Sequence, residues 1–217
     1  MGSQMTTIII LAAVALFLVL RLRNVLGTRD GYEVPSKATA PKKKAKFDVI
    51  DGGGEDADIA DHIEADSSSG KALAEMKKVE GNFSVDEFVG GARQAYEMIL
   101  MAFENGDTEF LQQYLAPDVY ASFVGVIEDR ADKGLEVEAS FVGVREVKLR
   151  SAKFDANNHE AEITMKFVGE LTSVVRDSEG KIVEGDPDTV KRQSDIWTFA
   201  RLMGGDNPNW LLVGTGA

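Results

Sequence analysis

Three hydrophobic patterns succeed one another along the chain, and each predicts a different kind of element. From Met5 to Leu20 sixteen residues pass without a charge. As a helix at about 1.5 Å per residue they reach about 24 Å, somewhat short of a ~30 Å hydrocarbon layer. Snorkelling of Arg21 and Arg23, with Leu22, Val25 and Leu26 continuing the apolar face, makes up the difference. Residues 5–26 therefore read as a transmembrane anchor, with a cleaved signal peptide or a buried core helix as alternatives. A signal peptide wants a basic start and a small-residue cleavage site. Here no Lys or Arg precedes the run and no A-x-A follows it. The four residues before Met5 read as an expression scar.

The second pattern has helical period. Ser84-Val85-Asp86-Glu87 has the form of a capping box behind Phe83, which predicts a helix start. Apolar groups follow at 88, 92, 95, 96, 99, 100 and 103, with Met98 and Met101 widening the stripe, up to a stop at Asn105-Gly106. Thr108 to Leu115 predicts a second helix. Pro117 opens a third through Tyr120, Phe123, Val124 and Ile127 to about Ala131.

After Gly134 the period drops to two. Ile163, Met165, Phe167, Leu171 and Val175 share one parity, while Glu162, Lys166 and Glu170 take the other, as in a strand over 162–175 with one buried face. Residues 136–150 read as the preceding strand, and their apolar parity slips between Val142/Val144 and Val147/Leu149, which predicts a bulge near Arg145. DANNHE and DSEGK are turns and GDPD a loop. TVKRQSDIWTFARLM is the next strand, and WLLVG, after GGDNPN, the last. Helices first and a meander second predict an α+β domain over 83–217, its N-terminal helices packed on one face of a curved antiparallel sheet.

Between anchor and domain, residues 27–82 hold Pro35, Pro41, the run KKKAK, and then eight acids with no Lys or Arg from Asp48 to Asp66. This composition reads as a disordered, flexible charged linker. A short helix over 71–79, with Leu73, Met76 and Val79 on one side, is the exception.

Charge adds a direction. The net charge is −12, yet residues 1–46 carry +6 and the remainder −18. By the positive-inside rule, basic residues that all follow the anchor place the body in the cytoplasm of a bacterium, with the N-terminus outside, or in the matrix if the membrane is mitochondrial. Arg21, Arg23, Lys42, Lys43, Lys44 and Lys46 then lie at the membrane surface, each lysine near anionic headgroups contributing ~1 kcal/mol. A body this acidic repels phosphate backbones, so nucleic acid is excluded as a partner. The chain has no cysteine, hence no disulfide, thiolate nucleophile or cysteine zinc site.

Candidate chemistry is sparse. Asp56, Asp58 and Asp61 lack the spacing and distal Glu of an EF-hand loop. His62 and His159 have no partner evident in sequence, which argues against a triad or a histidine metal site. Asp195 shares parity with Trp197, Phe199 and Arg201. It reads either as an Asp195–Arg201 or strand-edge ion pair near the sheet rim or as the carboxylate of an isomerase-like pocket enzyme.

F-x-x-G-A-x-x-A-Y at 88–96, GDTEFLQQYLAPDVYASF at 106–123, and W-T-F-A-R with N-P-N-W-L-L-V at 197–213 together carry a family signal. Over about residues 83–217 the chain resembles the Tim-forty-four-like domain family. That family includes the scaffold of the mitochondrial inner-membrane import motor, a mitochondrial ribosomal protein and membrane-anchored bacterial relatives called TimA. The anchor and charged linker look most like the bacterial members. The resemblance implies a cystatin-like or nuclear-transport-factor-two-like cone with a large apolar pocket. It also implies a non-enzymatic scaffold, without cofactor, that contacts an inner-membrane protein or lipid. Trp197, Phe199 and Trp210 then read as core, or, with Tyr96, Phe103, Ile163, Met165, Phe167 and Leu171, as the wall of a cavity taking an acyl chain or an amphipathic segment. An oligomerising subunit, associating through the open sheet face, is the remaining alternative.

Overall fold

Period-two patterning over 136–214 produces one four-stranded antiparallel sheet in the sequential order β1-β2-β3-β4. Its strands are β1 (Glu136–Asp155), β2 (Glu160–Arg176), β3 (Ile182–Leu202) and β4 (Leu211–Gly216). The computed structural model describes residues 56–216. The expected anchor over 5–26 and the surface residues Arg21, Arg23, Lys42, Lys43, Lys44 and Lys46 lie outside them. Among the described residues no helix is long and apolar enough to cross a membrane.

In β2 the alternation is nearly unbroken: Ala161, Ile163, Met165, Phe167, Gly169 and Leu171 are buried and the residues between them half-buried. The edge strand β1 slips register against β2 at three places, leaving Val142, Arg145 and Arg150 without a counterpart. The bulge expected near Arg145 is the middle one. Each bulge bends the strand and adds twist, so the sheet curves around the helices.

In β3 the structure departs from the sequence reading. GDPD is not a loop ahead of the strand, which starts at Ile182 rather than Thr189. Leu171 pairs with Lys191 and Ser173 with Asp186, so residues 187–190 of β3 sit opposite Thr172 alone. A glycine makes this possible: Gly185 has φ +84°, and a Cβ there would lie within bonding-clash distance of the Ser173 carbonyl oxygen.

Among the described residues five helices precede the sheet: α1 (Ala57–Ala60), α2 (Ser68–Val79), α3 (Val85–Glu104), α4 (Thr108–Tyr114) and α5 (Pro117–Asp132). The last three start and stop within about a residue of their sequence signals. Ser84 Oγ accepts from the Glu87 amide at 3.3 Å, Asp107 caps α4 and Pro117 opens α5. The α3 stripe (Val85, Phe88, Ala92, Tyr96, Ile99) is buried against the sheet. Tyr96 stacks on Phe167 with centroids 4.5 Å apart. It lies so close over Gly169 that a Cβ there would be 2.7 Å from its hydroxyl.

Residues 56–82 were expected to belong to a linker without a core, and here too the structure differs. Ile59, Leu73 and Met76 are buried in the same apolar cluster as Tyr96 and Phe167. The helix expected over 71–79 begins at Ser68, and the serine run ahead of it has specific work. Ser69 is buried, and its Oγ accepts from the Ala152 amide at 3.0 Å, so α2 covers part of the β1 edge. The acid-rich composition hid this because only one or two residues per turn face the core. Lys77 also offsets Asp56 and Asp58, at 2.7 and 2.6 Å.

Candidate functional site

Where α3 meets the end of β3 and the loop before β4, the aromatic side chains do not close completely. They leave a cleft of about 370 Å³. Phe88, Ala92, Ala95, Met98 and Ile99 come from one face of α3, Phe83 from the turn before it, Tyr114 from α4, and Phe199 and Trp210 from the sheet side. Helical spacing accounts for the row on α3. Phe88 meets Trp210 edge-on at 4.7 Å, Phe199 at 6.2 Å and Phe83 at 6.5 Å. Met98 is 42% exposed, so part of this apolar wall faces solvent.

Charge closes one end. Arg201 Nη2 donates to both carboxylate oxygens of Glu80 at 2.8 Å, its Nη1 donates to the Pro208 carbonyl at 3.2 Å, and its guanidinium lies 5.2 Å from the Trp210 ring centroid. The Gly204 amide adds a third donor to Glu80. Burial pushes the Glu80 carboxyl up, but Arg201 and the Gly204 amide outweigh it and hold the group below its ordinary range. This pair fastens the β3–β4 loop to the end of α2. With Arg201 neutralised, Glu87 leaves the rim acidic.

The expected pocket wall is divided. Phe199 and Trp210 line this cleft. Phe103 lines a second one of about 340 Å³, with Ile127, Arg130, Leu135 and Val137. Tyr96, Ile163, Met165, Phe167, Leu171 and Trp197 line neither; they are at most 4% exposed. The aromatic rings among them fill the interior by stacking: Trp197 lies 4.7 Å from Tyr96 and 5.9 Å from Phe167. In the second cleft the Arg130 guanidinium sits 4.6 Å over Phe103 and 3.6 Å from Glu104, whose carboxyl burial pushes up.

The expected Asp195–Arg201 pair does not form. Six residues of strand span about 20 Å, so shared parity cannot bring the two together. Asp195 instead accepts from the Tyr96 hydroxyl at 2.6 Å and from Gln193 Nε2 at 2.9 Å. Burial, and then the Asp195 carboxylate, push the Tyr96 phenol far above its usual range, so Tyr96 stays a neutral donor. Asp195 lines neither cleft.

His62, without a partner in the sequence reading, has one in space: its Nε2 lies 2.6 Å from Asp86 Oδ1. Asp58, His62 and Asp86 bring three potential ligand atoms within 4.8 Å of one another. Asp58, however, already accepts from Ser84 Oγ, the Val85 and Asp86 amides and Lys77. Four donors use the acceptor capacity of a carboxylate, so the cluster works as a helix cap rather than a cation cage.

Sequence reasoning missed Glu80, Met98 and Tyr114 as cleft residues. Phe83 and Phe88 were visible as staple and stripe, but nothing local shows that a helix face will meet a loop 120 residues downstream.

Residues 69–217 match the sequence profile of the Tim44-like domain. The chain is 27% identical over 146 residues to the human mitochondrial import inner membrane translocase subunit TIM44, covering 66% of this chain and 32% of that protein. It is 26% identical over 147 residues to the probable Caenorhabditis elegans counterpart tin-44, covering 66% and 34%. The chain thus spans about a third of the length of the curated relatives it matches. A solved structure, the intermembrane space region of the chloroplast protein ARC6, aligns with a TM-score of 0.37 at 11% identity, over 57% of this chain and 94% of that one.

Proposed function

Since the chain belongs to the Tim44-like domain family, we propose that it is a membrane-tethered, non-enzymatic scaffold or binding module at the cytoplasmic face of an inner membrane. It docks a protein partner or a lipid through the apolar cleft beside α3. The observation that carries this reading is the cleft itself: an aromatic wall left open beside the packed rings of Tyr96, Phe167 and Trp197. Its volume of about 370 Å³ falls within the ~300–1,000 Å³ of ordinary ligand sites. That is room for a few apolar side chains of a partner. The apolar run over 5–26 and the basic residues after it support the tether. Asp195, the one carboxylate considered for catalysis, is committed to Tyr96 and Gln193 away from the cleft, which favours binding over turnover.

A protein segment fits better than an anionic headgroup. Glu87 stands on the rim, and the one cation there among the described residues, Arg201, is already matched by Glu80. An apolar stripe flanked by Lys or Arg complements that rim, whereas a phosphate is repelled.

The test is photo-crosslinking of the full-length chain in native membranes, with benzoylphenylalanine at Met98 or Asn209 in the cleft and at buried Met165 as control. Protein adducts from the two cleft positions and not from Met165 are the expected result. Lipid adducts assign the cleft to acyl chains instead. Absence of any adduct from both cleft positions removes the docking reading.

A further inference from the structure

We propose that residues 56–63 form a strap that sets the mouth of this cleft, so that seating of the N-terminal segment and occupancy of the cleft are energetically coupled. The inference deepens the docking reading and rests on it for its function. The strap is α1 with its flanking turn, and a few discrete contacts hold it. Ile59, 2% exposed, is its apolar plug. Asp58 is its polar hook: Oδ1 accepts from Ser84 Oγ at 3.1 Å and from the Asp86 amide at 2.8 Å, while Oδ2 accepts from the Val85 amide at 2.8 Å. His62 adds its contact to Asp86.

The Val85 and Asp86 amides are orphan donors of the first turn of α3. Ser84 caps that helix locally through the Glu87 amide, and the strap supplies a second cap from 26 residues upstream. Residues 84–86 lie between Phe83 and Phe88, the two rings that build the cleft wall against Trp210, at 6.1 and 4.7 Å. Seating or lifting the strap therefore moves the helix turn that aims both rings. Burial pushes the Asp58 carboxyl up, but Lys77, the two amides and Ser84 outweigh it and hold the group well below the usual carboxylate range. The hook stays charged, so what can change is whether it is seated.

The coupling is reciprocal by thermodynamic necessity. An occupant that presses on Phe83 and Phe88 must stabilise or loosen the strap as much as the strap stabilises or loosens it. The chain enters the domain through this segment, so force or partner binding on the N-terminal side acts on the cleft through it.

Asp58→Ala and the milder His62→Ala, each in the full-length chain, test the idea without knowledge of the occupant. Hydrogen exchange by mass spectrometry reads the amides of residues 83–88. The 5-fluorotryptophan resonance of Trp210, assigned with Trp210→Phe, reads the wall. Removing one cap should speed exchange at Val85 and Asp86 about fivefold and shift the Trp210 signal, with that of Trp197 unmoved. Unchanged exchange and an unmoved Trp210 resonance in a folded variant overturn the strap; if Asp58→Ala does not fold, His62→Ala decides alone. The two readings fail separately. Missing Met98 adducts with strap variants that still move Trp210 sink docking only, and intact adducts with silent strap variants sink the strap only.

Discussion

Replacing Gly169 by Ala adds one carbon at the most crowded point between helix and sheet. The new Cβ would lie 2.7, 2.9 and 3.2 Å from Oη, Cε1 and Cζ of Tyr96. That ring cannot yield freely. It stacks on Phe167 at 4.5 Å, touches Trp197 at 4.7 Å and is held by Asp195 through a 2.6 Å hydrogen bond. Overpacking of this kind costs about 1–3 kcal/mol. Loss of a hydrogen bond to a charged group adds about 1.5–3 kcal/mol if the hydroxyl is displaced. We expect Gly169→Ala to lower stability by about 1–3 kcal/mol if the hydroxyl keeps its place and by about 2.5–6 kcal/mol if it is displaced, read as a reduced midpoint in equilibrium urea unfolding followed by tryptophan fluorescence.

A double-mutant cycle isolates the cause. Tyr96→Phe removes the oxygen that the new methyl would strike, so Gly169→Ala should cost at least about 1 kcal/mol less in the Tyr96→Phe background than in the wild type. If the two changes are additive, or if Gly169→Ala alone costs under about 0.5 kcal/mol, the glycine is not there for the tyrosine.

Other outcomes follow from the same contacts. Ser69→Ala should cost about 1–3 kcal/mol, measured by the same unfolding assay, because it leaves the buried Ala152 amide without its acceptor. The Glu80–Arg201 pair holds a carboxyl whose folded pKa lies below its unfolded value. Its contribution is complete above the unfolded value, near 4.5, and lost as pH falls through the depressed one. Glu80→Gln should therefore flatten the acid limb of stability against pH. Glu104 has the opposite sign. Its folded pKa is raised by burial, so it favours the fold below the unfolded value and opposes it as pH rises through the folded one. Glu104→Gln should raise stability at neutral pH relative to acid in pH-dependent thermal unfolding. Phe88→Ala should cut cross-linking from Met98 while leaving the far-ultraviolet circular dichroism unchanged.

Period and punctuation made much of the fold legible. Ser84, Asn105-Gly106, Asp107 and Pro117 mark helix ends because a cap acts on donors within one turn, and the odd-parity run Ile163–Leu171 marks a strand because a pleat repeats every two residues. The bulge at Arg145 was readable from a slip in parity. Local rules failed where the deciding contact came from far away. Ser69 sits in a serine run that has the composition of a tether, and only the Ala152 amide makes it structural. The break at Gly185 looked like a loop until Ser173 pulled it into the ladder.

The sequence by itself determined the α+β order of elements, the bounds of α3, α4 and α5, the family and the absence of thiol chemistry. Each of these is set by composition or by neighbours within a turn of helix or a step of strand. Only the tertiary structure decided which aromatic residues are wall and which are core. Tyr96, Phe167 and Trp197 read like Phe83, Phe88 and Trp210 along the chain, and they differ in whether they end in the interior or beside the cleft. It also decided the partners of the charges, joining Arg201 to Glu80 rather than to Asp195 and Asp58 to the start of α3. Strand rise carries side chains of equal parity apart at about 3.3 Å per residue, while folding brings distant segments within hydrogen-bond reach.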